Sequence, residues 1–194
     1  DSTGPEVVTN RLTLIEGADL IGRHRYVELA LFSRLGARAA DCERAAVAIY
    51  LSGASLAHAW RAGLAESVLP VSPDLAAREW TRTPGSAFDE ALGVLCAPGD
   101  DELLDATLGV VYPAMVDGYT SHLEVASEVS DGPVKRMLRR AIADLAAVIS
   151  EASELVSVGG ETARAKEVSE LLASVPGVFG EVAPTAERAK ETSS

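Results

Sequence analysis

Apolar residues recur along this chain at alternating steps of three and four, and this spacing limits the possible folds more than any other feature. The first such series is Leu20, His24, Val27, Leu31 and Leu35. Residues spaced in this way share one face of an α-helix and form a stripe that can be buried. We predict a helix over residues 17–40, with Glu28 beside its buried stripe.

Three further stripes have the same spacing and predict three more long helices. They cover residues 41–69, 100–129 and 133–158. Asp41 is the expected N-cap of the second helix, and Asp100 or Asp101 is that of the third. Pro113 lies inside the third stripe, where its missing N–H predicts a kink or an earlier break.

The connections between these helices predict how the chain is wired. The first two helices are joined by a very short link, so they must be antiparallel neighbours. Residues 70–100 are rich in Pro and Gly, with a short helix expected at 88–95, and are long enough to cross over the bundle. An amphipathic stretch at 161–174 predicts a short extra helix. The domain division is an N-terminal arm (1–16), an antiparallel four-helix bundle (17–158), and a C-terminal helix and tail (159–194).

Composition and charge narrow the possible partners. Hydrophobic residues make up 47% of the chain and aromatic residues 5%, a balance typical of closely packed helices. The net charge of -12 repels a phosphate backbone, so we expect no general nucleic-acid binding. No apolar run approaches the ~20 residues that span a bilayer, so we expect no membrane association. A homodimer is a reasonable expectation, although no face is identified for it.

The cysteines and the first residues of the chain predict a cellular compartment. Cys42 and Cys96 lack CxxC or zinc-like spacing, which is typical of free, half-buried thiols in a reducing compartment. The polar first residues show no signal-peptide pattern. We therefore expect a cytoplasmic protein.

Short motifs on three of the predicted helices carry a family resemblance. They are RYVELALF at residues 25–32, HAWRAGL at 58–64 followed by Leu-Pro at 69–70, and YTSHL at 119–123 followed by Asp-Gly-Pro at 131–133. Together they resemble an actinobacterial branch of the ferritin-like superfamily, which is distantly similar to the di-iron hydroxylases of modified tRNA. The resemblance covers residues 17–158. It implies a ferritin-like bundle with a metal site between its helices.

The ligand set of such a di-iron site is only partly present here. Ferritin-like bundles place a Glu on two helices and Glu-x-x-His on the other two, because carboxylates bridge the cations and imidazoles cap them. Glu28 and His58 lie at similar depth in the first two helices, but Ser55 stands where the Glu before His58 is expected. At the matching depth on the last two helices stand Gly118 and Asp144. Relatives usually continue HAW with a second His and a Glu, where this chain has Arg and Gly.

The candidate metal ligands are Glu28, His58, His122 and Asp144, with His122 lying one turn beyond Gly118. We expect at most one iron or manganese ion, and otherwise no cofactor. Glu28, His58 and His122 could form the two-His, one-carboxylate set of mononuclear iron sites. Asp144 could instead form a salt bridge to Arg140 on its own helix.

The predicted function is a ferritin-like enzyme, of the oxidoreductase type or a metal-independent derivative, that acts on a small molecule in the bundle interior. Its candidate catalytic residues are Glu28, His58, Arg61 and Tyr119. Without a metal, Glu28 and His58 could act as general base and acid, while Arg61 holds an anionic small molecule in the bundle core. The alternative is a non-catalytic binding or scaffold protein that has lost its di-iron site. In that case Glu28 would be paired with Arg61, Arg25 or His24, His58 would be bonded to a carboxylate, Tyr119 would be a packing residue, and no cavity would lie between them.

Overall fold

The computed structural model describes residues 12–72, 79–152, 155, 162–175, 177–180 and 182, and within these ranges the chain forms helices and no strand. The helices are α1 (Leu14–Asp41), α2 (Ala45–Glu66), α3 (Ser86–Leu95), α4 (Asp100–Ala106), α5 (Tyr112–Val125), α6 (Gly132–Glu151) and α7 (Ala163–Ala173). A π-helical segment, Thr107–Val111, links α4 to α5. The prediction of an all-α chain is confirmed. None of the described helices is long and apolar enough to cross a membrane.

Helix α1 begins three residues before the predicted start, so the last residues assigned to the N-terminal arm are helical. The Thr13 side chain accepts a hydrogen bond from the Glu16 N–H at 3.3 Å, and the Glu16 carboxylate accepts one from the Thr13 N–H at 2.8 Å. This reciprocal pair is a capping box, which satisfies two backbone donors that the helix itself leaves free. The Thr-x-x-Glu spacing is present in the sequence and was the signal for this start.

The start of α2 corrects the prediction that Asp41 caps it. Asp41 is the last residue of α1, and the N-cap of α2 is Arg44, whose side chain makes no capping hydrogen bond. The Asp100 carboxylate instead accepts from the backbone N–H groups of Glu43 at 3.2 Å and Arg44 at 3.4 Å. An acidic residue distant in sequence therefore satisfies backbone N–H groups at the start of the helix. Helix α2 ends at Glu66, three residues before the predicted end.

The predicted third helix is interrupted as the position of Pro113 indicated. Helix α4 begins after Gly99, so Asp100 and Asp101 lie in its first turn and neither is the N-cap. The π-helical turn ends just before Pro113, which lies in the first turn of α5. Proline has no N–H to donate, and the wider turn before it accommodates the missing bond. Helix α5 ends at Val125, not at residue 129.

The last two helices follow the prediction with shorter bounds. Helix α6 ends at Glu151 rather than 158, and the Gly-Gly pair at 159–160 lies outside the described residues. The predicted short helix at 161–174 is α7, with Thr162 as its N-cap. The Asp105 carboxylate accepts hydrogen bonds from the N–H and hydroxyl of Thr162, which ties the start of α7 to α4. The expected short helix at 88–95 is α3, and Cys42 and Cys96 are free and half-buried as predicted.

The core receives buried side chains from all seven helices. The antiparallel pair α1 and α2 makes the most extensive contact, α5 packs on α6, and α6 contacts α2. Their apolar stripes supply the buried side chains, among them Leu31, Leu35, Leu51, Leu138 and Leu145, each fully buried. Helix α7 covers α3 and α4 on the outside. The predicted stripes therefore are the faces that fill the core.

Gly118 on α5 marks a close approach between this helix and the segment after α7. A Cβ atom at Gly118 would lie 1.9 Å from the backbone oxygen of Val178. The Ser121 hydroxyl, one turn further along, accepts a hydrogen bond from the Val182 N–H at 2.7 Å. The position expected to match a metal-ligating Glu thus faces backbone, and only glycine fits it.

We predict that Gly118→Ala lowers the free energy of unfolding by about 1–3 kcal/mol, because the new methyl group overlaps a carbonyl that cannot rotate away. The matched control is Gly93→Ala in α3, where a Cβ atom meets nothing within 4 Å. That change should raise stability by about 0.5–1 kcal/mol through helix propensity. Urea denaturation followed by circular dichroism measures both. Equal effects of the two substitutions would contradict the close packing at Gly118.

Candidate functional site

Glu28, in the middle of α1, is the centre of a buried group of polar side chains. Its carboxylate is fully buried. Oε1 accepts hydrogen bonds from Arg61 Nε at 2.8 Å and from the Tyr119 hydroxyl, and Oε2 lies 2.6 Å from His58 Nδ1. Both oxygens of a buried carboxylate are therefore satisfied by three donors from α2 and α5, which offsets the cost of removing the charge from water.

His58 connects this carboxylate to a tyrosine. Its Nδ1 faces Glu28, and its Nε2 lies 3.1 Å from the Tyr112 hydroxyl. Arg61 Nη2 also lies 2.8 Å from Nδ1. The shorter contact with the carboxylate assigns the proton to Nδ1, so that Nε2 accepts from the Tyr112 hydroxyl. The result is a chain of carboxylate, imidazole and phenol.

Arg61 joins two carboxylates from different helices. Its Nε donates to Glu28 on α1, and its Nη1 donates to Asp144 on α6. The guanidinium is 1% exposed, whereas the Asp144 side chain is 29% exposed. We call Glu28, His58, Arg61, Tyr112, Tyr119 and Asp144 the interior polar cluster. Of its members, Asp144 is the one that reaches solvent.

Burial and neighbouring charges set the protonation of the cluster. Burial alone would raise the pKa of Glu28, but His58 and Arg61 together hold it below its usual value. Burial lowers the pKa of His58 despite the opposing effect of Glu28. Burial raises the pKa of the Tyr119 hydroxyl, and Glu28 raises it further. At neutral pH the cluster therefore contains ionised Glu28, neutral His58 and a protonated phenol.

His24 and His122 form a second buried pair next to the cluster. The ring centroids of these two histidines are 5.4 Å apart with their planes 22° from parallel, and His24 also lies 4.6 Å from the Tyr119 ring. His24 Nε2 and His122 Nδ1 are buried without a hydrogen-bond partner among the described residues. Burial lowers the pKa of His122 to about 4, a shift that Asp131 opposes, and burial beside His122 lowers that of His24.

The structure brings most of the predicted site residues together and separates one. Glu28, His58, Arg61, Tyr119 and Asp144 are within one hydrogen-bonded cluster, whereas His122 pairs with His24. On α5 the side chain that reaches Glu28 is that of Tyr119, one residue after the expected position.

The structure also decides between pairings that the sequence left open for Asp144 and Glu28. Asp144 bonds Arg61 rather than Arg140, and Arg25 pairs with Glu66 rather than Glu28. Ser55, at the place expected for a ligand, donates its hydroxyl to the Phe32 carbonyl at 2.7 Å.

Two tyrosines of this region were not among the predicted site residues. Tyr112 lies seven residues before Tyr119, which is two helical turns, so the pair shares one face of the chain through α5. Tyr50 lies two turns before His58, and its hydroxyl donates to the Val148 carbonyl at 3.2 Å. The sequence signal for Tyr112 was its spacing of seven residues from Tyr119, and that for Tyr50 was its spacing of eight residues from His58. Each spacing places the tyrosine on the same helix face as a residue already predicted for the site.

The cluster as arranged does not fit a metal ion. Both Glu28 oxygens and both His58 nitrogens already have hydrogen-bonding partners, and the Arg61 cation lies between Glu28 and Asp144. Among the described residues, no group of three or more His, Cys, Asp or Glu side chains is arranged to hold a metal ion. An ion beside Glu28 would have to displace the guanidinium.

Access to the cluster from solvent is through one edge. Glu28, His58 and Arg61 line none of three pockets that lie among the described residues on the surface. Asp144 lines a groove of about 550 Å³ between α2 and α6. His122 lines a pocket of about 190 Å³ on a different face. A small molecule could therefore approach Asp144 from solvent, whereas Glu28 is fully buried.

Comparisons with known proteins return no match. No family model matches the chain, and searches of curated proteins and of solved structures also find none. The ferritin-like relationship thus stays a prediction from the sequence. Function has to be argued from the geometry of the interior polar cluster and of the surface.

We predict that His122 makes the protein less stable in mild acid. Its folded-state pKa of about 4 lies below the unfolded value, so the unfolded chain takes up the proton more readily. The contribution of neutral His122 to the free energy of unfolding is therefore fully present above pH ~6.5 and is lost as the pH falls toward ~4. In urea denaturation at pH ~7.5 and ~5.0, His122→Gln should lose about 2 kcal/mol less than the unmodified protein. Equal losses would contradict the prediction, and His24→Gln provides a second test of the pair.

Proposed function

We propose that this chain is a ferritin-like four-helix bundle in which an internal ion-pair network replaces the metal centre, and that it acts as a non-catalytic binding or scaffold protein. The observation that carries the proposal is the position of Arg61. Its guanidinium bonds carboxylates from α1 and α6, where a di-iron bundle would hold its cations. The bundle would then be maintained by fixed protein charges and would not depend on metal supply.

The arrangement of the cluster supports the four-helix reading. Its side chains come from α1, α2, α5 and α6, one set from each helix of the proposed bundle. Short links join α1 to α2 and α5 to α6, while a long connection that contains α3 lies between the two pairs. A crossover between helix pairs is the wiring of ferritin-like bundles.

Arginine is chemically suited to replace a cation at this place. Its guanidinium stays protonated, and its planar fork presents donors in several directions at once. Arg61 donates from Nε to Glu28 and from Nη1 to Asp144. Removal of such a group would leave Glu28 as an unpaired buried charge, which is among the most costly single changes a protein core can suffer.

A metal-free enzyme is the competing proposal, and the same cluster supplies its best argument. Glu28, His58 and Tyr112 form a carboxylate–imidazole–hydroxyl series like that of nucleophilic hydrolases. Such a series needs a substrate next to the hydroxyl. Tyr112 is fully buried, and burial raises the pKa of its phenol well above the usual value, which opposes its ionisation. Burial therefore favours the non-catalytic proposal.

We predict that the purified protein contains no stoichiometric iron or manganese and that Mn²⁺ does not change its melting temperature. Elemental mass spectrometry on protein prepared without chelator or histidine tag measures the metal content, and thermal denaturation measures the melting temperature.

Arg61→Ala should lose about 3–5 kcal/mol of unfolding free energy, because it leaves Glu28 unpaired. Added Mn²⁺ should restore part of that stability, since the ion can occupy the vacated position.

The matched control is Arg82→Ala, which removes an arginine from a surface pair with Asp19 at 3.0 Å. Exposed pairs contribute about 0–1 kcal/mol, so this variant should stay close to the unmodified protein and should not respond to Mn²⁺. Near-stoichiometric metal that is lost in His58→Ala would overturn the proposal. An Arg61→Ala variant insensitive to Mn²⁺ would contradict the replacement of a cation by arginine.

A further inference from the structure

The pocket of about 190 Å³ that His122 lines lies where the start of α1 meets the end of α2 and the connection between α5 and α6. Its walls are mostly apolar and include Leu12, Ile21, Val68, Pro70, Pro133 and Val134. A dry cavity of ~150 Å³ is large enough for benzene. This pocket can therefore hold one six-membered ring with one or two small substituents.

Three of the polar side chains that line the pocket already have partners in their own turns. The Thr13 hydroxyl donates to the Glu16 carboxylate at 2.8 Å, within the capping box of α1. The Ser130 hydroxyl donates to Asp131 at 3.0 Å, and the other oxygen of Asp131 accepts from the Ser127 N–H at 2.7 Å. These bonds hold the turns that form the pocket and leave no requirement for a ligand.

His122 is the fourth polar residue of the lining, and its situation is different. It is 1% exposed, and its Nδ1 is buried without a hydrogen-bond partner among the described residues. The neighbouring ring of His24 stacks on it, and stacked rings form no hydrogen bond between them. A buried polar atom that has lost water and gained no partner is costly, and such atoms are rare in native proteins. A polar atom of a ligand in the pocket would supply the missing bond.

The charges around the pocket indicate what kind of polar group this is. Because burial lowers the pKa of His122 to about 4, its ring is neutral at neutral pH. A neutral imidazole nitrogen donates in one tautomer and accepts in the other, and a hydroxyl group can partner either. A carboxylate would instead lie close to Asp131, with no positive charge on His122 to offset the repulsion. An uncharged hydroxyl therefore suits this position.

We propose that this pocket binds a small apolar molecule with one hydroxyl group, such as a single-ring phenol, whose hydroxyl bonds Nδ1 of His122 while its ring lies between the apolar walls. Gly17 on α1 supports the assignment. It lines the pocket, and a Cβ atom there would meet nothing within 4 Å. Glycine lowers helix propensity relative to alanine, and at this position it leaves the space of the pocket open.

This site goes beyond the proposed function, because it gives a binding role a class of ligand. None of the residues of the interior polar cluster lines the pocket. The binding test below is therefore separate from the metal assay, and either can fail while the other succeeds.

NMR titration of the ¹⁵N-labelled full chain at pH ~7.5 tests the site, with p-cresol, toluene and p-toluate as probes. We expect p-cresol to bind with a Kd of about 0.1–1 mM, as an efficient ligand of this size can. Toluene, which lacks the hydroxyl, should bind at least about threefold more weakly. The anion p-toluate should give no saturable shift. Absence of p-cresol binding, or tighter binding of p-toluate, would overturn the proposal.

His122→Phe tests the hydrogen bond, because it keeps an aromatic ring beside His24 and removes both ring nitrogens. The variant should bind toluene as the unmodified protein does and should lose the preference for p-cresol. A merely structural role of His122 would change the affinity for both probes alike. A preference for p-cresol that persists in this variant would overturn the assignment of its hydroxyl to His122.

Gly17→Leu tests the position of the ligand, because the new side chain occupies the pocket. It should weaken p-cresol binding at least about tenfold. The matched control is Gly93→Leu on α3, an exposed position outside this pocket where a Cβ atom also meets nothing within 4 Å. That variant should bind p-cresol normally. Circular dichroism shows which variants are folded, and Gly17→Leu decides the matter if His122→Phe is not. Unchanged p-cresol binding in folded Gly17→Leu would overturn the proposal.

Discussion

The ion pairs of Arg61 are the constraint on which the interior of this protein depends. A guanidinium removed from water between Glu28 on α1 and Asp144 on α6 is tolerated only because it bonds both carboxylates. The same bonds fix how these helices are rotated about their axes. Tyr119 adds a donor from α5, so four helices are held in one relative phase. Apolar stripes alone permit small rotations, and this network selects among them.

The two faces of α2 lie in two different environments. The inward face carries His58 and Arg61 and completes the interior polar cluster. The outward face carries Leu56 and Trp60, which the fold of the monomer leaves exposed. The first face is satisfied within the chain. The second leaves apolar side chains in contact with solvent.

The positions of the helices were largely predictable, whereas the rotation of individual side chains was not. The apolar stripes predicted every long helix, and Pro113 predicted the interruption before α5. His122, predicted beside Glu28, stacks on His24, whereas the predicted Tyr119 does reach Glu28. The position counted at matching depth was Gly118, and one residue along a helix turns the face by ~100°. Depth along the bundle was counted correctly, but the helix phase needed contacts from the other helices. The cap of α2 failed for a related reason, since its acceptor belongs to a residue distant in sequence.

The sequence by itself determined the all-α class, the helices and most of the polar residues of the interior. Periodicity and charge are local properties, because they can be recognised within any stretch of ten to twenty residues. Only the tertiary structure decided that Arg61, rather than Arg25, pairs with Glu28, and that His122 stacks on His24. It also decided that the outward face of α2 is exposed. These facts depend on distances between helices, which no single segment of the chain encodes.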